Sequence, residues 1–198
     1  MKKVEKSLVA FSIFALGLNL LLLPGGNFLT VLGFGILSMI YLYFSFALFN
    51  NIRLRKILKK DSYKDVSSLR ILGAIGTGFG LSLTIVGLTF KFMSWPGANY
   101  NLILGLFLLS IVTVIGVIKY SQNKSEFYTR ILKRVAIFGG IGLIVVLIPM
   151  ADWIGFRYRN YPEYVKAVKN SIADPNNKVL KEKADEELRK MHIERDKK

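Results

Sequence analysis

Long uncharged runs of apolar residues fill the first three quarters of the chain. Residues 7–52 contain no Asp, Glu, Lys or Arg, a run of 46 residues. As a helix this run would be roughly 69 Å long, about twice the ~30 Å hydrocarbon core of a bilayer. We therefore expect it to cross a membrane twice. The turn is expected at residues 24–27 (PGGN), where proline and glycine favour a break between helices.

Three more uncharged runs follow, at residues 71–90, 92–118 and 135–151. Each reaches the length that a spanning helix needs. The sequence thus predicts an all-α integral membrane protein with about five spans, at about 7–23, 28–49, 71–93, 100–118 and 134–152. A soluble fold is not favoured, because few polar residues remain to coat so much apolar surface. A cleaved signal peptide at the N-terminus is the alternative for the first span. We expect a retained helix, since that segment recurs in mid-chain.

The first hairpin is repeated 72 positions later. Residues 24–33 read PGGNFLTVLG, and residues 96–105 read PGANYNLILG. An internal repeat fixes the architecture before any local motif does. We predict repeated hairpins at about 6–49 and 79–113 with the same membrane orientation, related by an axis along the membrane normal. Small residues are expected where helices meet: Gly73, Gly76, Gly78 and Gly80, with Gly139, Gly140 and Gly142.

The net charge of +15 does not indicate a nucleic-acid partner, because the basic residues are distributed by topology. Fifteen lie before the first span, between spans two and three, and between spans four and five, whereas the two hairpin turns hold only Lys91. This is the positive-inside pattern. It predicts a cytoplasmic N-terminus, outward-facing turns and an extracytoplasmic C-terminus. The basic segment 53–60 is also suited to anionic lipid headgroups.

The composition changes after the last apolar run. We expect a transmembrane domain over residues 1–152 and a charged, extracytoplasmic helical tail over 153–198. Pro162 suits the first turn of one tail helix, and Asp174-Pro175 suits the start of a second that runs to about Arg195. Leu180, Ala184, Leu188 and Met191 form a thin apolar stripe. The stripe is too narrow for a core, so it is expected to contact another protein, a second copy or the membrane.

Ionisable side chains suited to chemistry are almost absent from the spans. The chain has no cysteine and one histidine, His192, in the charged tail. The predicted spans contain no carboxylate except Asp152 at the outer end of the fifth, and a metal site needs several converging ligands. We therefore expect no enzyme activity, no catalytic residues, no cofactor and no metal.

Lys91 is the one charge in a spanning region, close to Trp95. Its ammonium can reach the headgroups as an interfacial anchor. The alternative is that it pairs with a carboxylate of another subunit or binds an anion. The equivalent position in the first repeat is Asn19, which is also polar. The candidate interaction residues are those of the two turns: Lys91, Trp95, Pro96, Gly97, Asn99, Pro24, Gly25 and Asn27.

The segment 90–99 (FKFMSWPGAN) resembles the transmembrane hairpin of the L subunit of the gliding-motility and type IX secretion motor, whose pattern is close to FKxxHWPGA. It is also similar to small membrane proteins of the same bacterial group that carry the pattern once or several times. Ser94 stands where histidine is usual. The resemblance covers about 30 residues and implies a shared hairpin fold and a location in the bacterial inner (cytoplasmic) membrane. The motor subunit has a glutamate in its second helix and a long cytoplasmic domain. Here residues 105–109 (GLFLL) are apolar and that domain is missing, which argues against a proton-driven motor.

Two functions from different classes fit these patterns. The first is an interaction or scaffold protein of the inner membrane, a subunit or accessory of a membrane complex without catalytic activity. Its partners would be the bilayer and other membrane subunits or its own copies, with no nucleic acid. The alternative is a small permease or channel built from the repeated hairpins. The scarcity of polar groups at the membrane centre opposes it. A lipid-modifying enzyme has the least support.

Overall fold

The computed structural model describes residues 1–64 and 66–195, and this part of the chain is all-helical with no strand. It forms two compact units, Met1–Leu147 and a second from Ile148 onward. A single π-helical turn, Val135–Gly139, joins α5 to α6, and short 3-10 turns at Leu54–Lys56 and Lys60–Tyr63 connect α2 to α3. The helices are α1 (Lys2–Leu20), α2 (Gly26–Phe49), α3 (Ser68–Phe92), α4 (Ala98–Asn123), α5 (Glu126–Arg134), α6 (Gly140–Leu147), α7 (Met150–Arg157), α8 (Pro162–Ala173) and α9 (Lys178–Arg195).

Three of these helices, α2, α3 and α4, are long and apolar enough to cross a membrane, whereas α1, at the place of the first predicted span, is not among them. A fourth candidate exists only if Glu126–Leu147 and Met150–Arg157 are taken together as one interrupted span. The helix expected over residues 134–152 ends at Leu147 because Pro149 follows. Proline has no N–H to donate and keeps the residue before it out of the helical region. The uninterrupted apolar segment Val135–Leu147 is then only about 20 Å long.

The first four helices pack in chain order, α1 on α2, α2 on α3 and α3 on α4. The contact between hairpins is therefore the α2–α3 pair. There the hydroxyl oxygens of Ser38 and Ser82 lie 2.7 Å apart, both buried. A Cβ on Gly78 would come within 2.3 Å of Ser45, so this glycine lets the two backbones approach closely.

The predicted glycine interface is partly wrong. Gly80 faces Leu109 of α4, but Gly73 and Gly76 have nothing within 4 Å of an added Cβ and are exposed. In the last apolar helix, Gly142 lies against Thr84, whereas Gly140 has no neighbour at that distance. The helices are rotated so that only some glycines meet a neighbouring helix, and spacing along the sequence does not determine that rotation.

In the second unit, α9 packs along α8, and Ala184 and Met191 of its apolar stripe are buried. The start predicted for α9 at Asp174-Pro175 is wrong by three residues. Asn177 instead accepts a hydrogen bond from the Leu180 N–H at 3.3 Å, and the helix begins at Lys178. The rings of Tyr158 and Tyr164 meet edge to face at 5.0 Å. Burial, together with the neighbouring Tyr158, raises the pKa of Tyr164 to about 12.

Candidate functional site

The helices that lead into the two turns end in the same way. Leu22 and Ser94, 72 positions apart, both adopt left-handed backbone angles, with φ of 56° and 59°. The Leu23 N–H bonds to the Leu18 carbonyl at 3.0 Å, and the Trp95 N–H bonds to the Phe90 carbonyl at 2.8 Å. This is the Schellman arrangement, which satisfies the free carbonyls at a helix end. The two turns therefore share their backbone geometry as well as their sequence pattern.

The helices that leave the turns also begin alike. Gly25 and Gly97 precede α2 and α4 with φ of 78° and 80°. Their carbonyls accept hydrogen bonds from residues four positions on, at 2.9 Å from the Leu29 N–H and 3.1 Å from the Asn101 N–H. A side chain at this φ would be strained, which explains why glycine follows proline in both copies.

Each hairpin holds one polar pair across its turn. Asn19 donates from Nδ2 to Asn27 Oδ1 at 2.7 Å, and Lys91 donates from Nζ to Asn99 Oδ1 at 2.9 Å. Asn19 and Lys91 are both fully buried, whereas their acceptors are exposed. The Lys91 side chain thus lies inside the hairpin, and its ammonium is used at least in part to hold the turn together.

The two turns lie at the same end of the first unit. Asn19 Nδ2 is 3.4 Å from the sulfur of Met93, which joins the end of α1 to the end of α3. At the adjacent residue of α3, the ring of Phe92 packs edge to face on that of Phe34 of α2, with centroids 5.7 Å apart. The hairpins are therefore neighbours at the turns, and the turn residues of both copies form a single surface.

We call this region the turn surface. It combines exposed aromatic rings with exposed turn residues and asparagines. Phe28 and Tyr100, again 72 positions apart, are 68% and 73% exposed. Trp95 is 39% exposed and packs on Phe90 with ring centroids 5.4 Å apart. The turn surface is made of Pro24, Gly25, Asn27, Phe28, Trp95, Pro96, Gly97, Asn99 and Tyr100. All the candidate interaction residues except Lys91 are exposed there.

Within each hairpin a hydroxyl side chain packs against a glycine. A Cβ on Gly33 would lie 2.9 Å from Ser12 Oγ, and a Cβ on Gly105 would lie 2.5 Å from Thr84 Oγ1. Both hydroxyl residues are buried, and the four residues form two pairs with the same 72-residue offset. This internal agreement extends the repeat from the turns to the middle of the helices.

A buried charged cluster lies at the end of the first unit opposite the turns, and the sequence pattern does not predict it. Glu5 of α1 accepts hydrogen bonds from Arg134 through both carboxylate oxygens, and the Tyr41 hydroxyl donates to Glu5 Oε1 at 2.6 Å. Glu5 is only 7% exposed. The one signal in the sequence is that Glu5 is the single acidic residue before Asp61. Its partner Arg134 is 129 residues away, so no local pattern connects them.

Among residues 1–64 and 66–195, no group of three or more His, Asp or Glu side chains is placed to hold a metal ion. No family model, curated protein or solved structure matches this chain. The structural comparison that remains is between the two hairpins of the chain itself.

Proposed function

We propose that this protein is a non-catalytic interaction or scaffold protein of the bacterial inner membrane, a subunit or accessory of a membrane complex. In this proposal the hairpins cross the bilayer, the N-terminus is cytoplasmic, and the turn surface faces outward to engage a partner. The observation that carries the proposal is the turn surface itself, where each of two equivalent turns exposes an aromatic side chain, Phe28 in one and Tyr100 in the other. Tyr and Trp are common at membrane interfaces in general, so the support comes from the equivalent placement of Phe28 and Tyr100 in the two turns and not from aromatic content.

The use of the buried polar groups also supports a scaffold. Asn19 and Lys91 bond across their own turns, and Ser38 bonds to Ser82 between the hairpins. Thr84 and Thr89 donate back to carbonyls four residues earlier in α3. Polar groups that are paired within the protein, whether between helices or within one helix, are less suited to line a solute path. This use of polarity favours a scaffold over a permease or channel.

Photocrosslinking tests the partner directly. A photoreactive phenylalanine analogue is placed at Phe28 or at Tyr100 on the turn surface, with Phe107 as the matched control. Phe107 is 60% exposed on α4 but lies away from the turns. We expect crosslinks to a different membrane or extracytoplasmic protein from positions 28 and 100 and none from 107. Crosslinks only to lipid at all three positions would refute the scaffold, and crosslinks only to a second copy would favour the channel.

Topology is tested separately, and the chain is suited to it because it contains no cysteine. Single cysteines at Phe28, Tyr100, Lys59 and Lys166 are labelled in intact spheroplasts with a membrane-impermeant maleimide. We expect labelling at 28, 100 and 166 but not at 59. Labelling at 28 and 100 but not at 166 would mean that the interrupted pair Glu126–Leu147 and Met150–Arg157 does not cross the membrane. The five-span topology would then be replaced by four crossings and a cytoplasmic tail.

A further inference from the structure

The far end of α2 from the turn surface contains a hollow of about 180 Å³ with a basic rim and an apolar floor. Leu48 and Ile52 are buried beneath it, and Lys2, Lys3 and Arg53 surround it with exposed side chains. Two of these cations come from the start of α1 and the third from the segment after α2. Three cations from two separate segments of the chain thus surround one small cavity.

Local backbone geometry places Arg53 there. Asn51 adopts a left-handed conformation with φ of 59°. The Ile52 N–H bonds back to the Ala47 carbonyl at 2.9 Å, so the chain folds over the end of α2 and Ile52 is buried. After glycine, asparagine is the residue that most readily adopts this angle at a helix end. The turn directs the following residue, Arg53, towards the start of α1.

The negative groups nearest to the hollow in the sequence are used elsewhere. Glu5, in the first turn of α1, is buried against Arg134 and Tyr41. The Phe49 carbonyl, at the negative end of the α2 dipole, accepts a hydrogen bond from Arg130 Nε at 2.9 Å. Among the described residues that line the hollow, none is acidic. The cations therefore create a positive site that no carboxylate in its lining neutralises.

We propose that this hollow binds the phosphate group of an anionic phospholipid, with Lys2, Lys3 and Arg53 as its ligands. The inference rests on the membrane insertion proposed above, which places the end of α2 among the headgroups. Lysine and arginine donate charge-assisted hydrogen bonds to phosphate oxygens. Leu48 and Ile52 supply the apolar surface that the glycerol and upper acyl carbons need. A free phosphate ion would use the cations but gain nothing from the apolar floor.

The experiment uses the full chain purified in a mild detergent, with phosphatidylglycerol or phosphatidylcholine added and bound lipid counted by native mass spectrometry. The test variant is Lys2→Gln/Lys3→Gln/Arg53→Gln. The matched control is Arg55→Gln/Lys56→Gln/Lys59→Gln, which removes three exposed cations that do not line the hollow. We expect the affinity for phosphatidylglycerol to fall by roughly tenfold or more in the test variant, because charge-assisted hydrogen bonds are lost. The control should stay within about threefold of wild type, since the cations that it loses do not line the hollow and interact with the lipid only through screened surface charge.

Several outcomes would overturn the proposal. If both variants lost the same affinity for phosphatidylglycerol, the lipid would be attracted by basic charge in general. If the wild type bound phosphatidylcholine as well as phosphatidylglycerol, the hollow would not recognise the anionic group. Displacement of the lipid by millimolar inorganic phosphate would identify a free-phosphate site. Unchanged circular dichroism confirms that the variants fold, as expected for exposed positions. Failure of membrane insertion is measured independently, by release of the protein from native membranes in alkaline carbonate.

Discussion

The two hairpins share a backbone plan but differ in what they bury at equivalent positions. At the turn end, Asn19 in the first hairpin corresponds to Lys91 in the second, and each donates to an asparagine eight residues later. At the other end, Glu5 corresponds to Thr77, which donates to the Gly73 carbonyl of its own helix. The turn accepts a neutral or a charged donor with the same geometry. The opposite end instead distinguishes the hairpins, because among the described residues only the first is joined to α5 by an ion pair.

Comparing the two hairpins also shows two ways in which a polar side chain can be buried. A threonine that bonds to its own helix needs no other element. A buried carboxylate needs a partner, and Glu5 obtains one only when α5 is in place. Thr77 of the second hairpin therefore needs no partner from α5, whereas Glu5 of the first depends on a later part of the chain. The second hairpin still contacts α5 through Arg70, whose guanidinium lies 4.6 Å from the centroid of the Phe127 ring.

The largest expected effect is at this ion pair. Glu5→Ala leaves Arg134 without its carboxylate partner in a mostly buried position, which typically costs about 3–5 kcal/mol of folding free energy. Thr77→Ala, the equivalent change in the second hairpin, removes one hydrogen bond within a helix and should cost about 1 kcal/mol. Thermal unfolding in detergent measures both. Equal losses would show that the hairpins do not differ energetically at this end.

The second largest effect is expected at Gly105, and comparison with Gly33 tests whether the glycine contacts of the two hairpins are energetically equivalent. Gly105→Ala would bring a Cβ within 2.6 Å of the Thr84 backbone nitrogen, which cannot move freely. We expect a loss of about 2–3 kcal/mol from overpacking. The three heavy atoms nearest to a Cβ on Gly33 belong to the side chains of Ser12 and Phe11, which can shift, so Gly33→Ala should cost about 1 kcal/mol.

Gly76→Ala is the control for both substitutions, because nothing lies within 4 Å of its added Cβ. It should leave stability unchanged or raise it, since alanine is favoured over glycine in a helix. A loss at Gly76 as large as that at Gly105 would contradict the packing described for α3 and α4.

A smaller effect is expected at Lys91. Lys91→Gln keeps a donor for Asn99 Oδ1 and makes the second hairpin resemble the first, so it should cost about 1 kcal/mol or less. Lys91→Arg should also preserve assembly, because its guanidinium donates as well. If Lys91 instead pairs with a carboxylate of another subunit, Lys91→Gln would destabilise that assembly by a few kcal/mol. The yield of crosslinked complex from the two variants distinguishes these cases.

The smallest effect is a gain in stability at the helix ends. Leu22 and Ser94 hold left-handed backbone angles that glycine adopts without strain. Leu22→Gly and Ser94→Gly should each stabilise the protein by about 0.5–1 kcal/mol. Similar gains at both positions would confirm that the two turns are energetically as well as geometrically equivalent, and a gain at only one would contradict it. Denaturant titration of the single variants provides the comparison.

The sequence by itself determined the helical class, the two Pro-Gly turns and the equivalence of Asn19 with Lys91. These features depend on neighbours along the chain. Proline and glycine end helices locally, and uncharged length is visible in any window. Pro149 also ends a helix through its own local geometry. The predicted fifth span extended past it because only charge and length defined that span. The exposed turn residues also followed from the pattern, as did the polar character at position 91.

Only the tertiary structure decided which side chains meet. The bond from Glu5 to Arg134 joins residues 129 positions apart, and the contact of Asn19 with Met93 joins the two repeats. Whether Gly76 or Gly78 faces a neighbour depends on how α3 is rotated about its axis. That rotation is set by the combined packing of α2, α3 and α4, and no short stretch of sequence contains it. The basic hollow at Arg53 has the same origin, because its cations come from two separate segments.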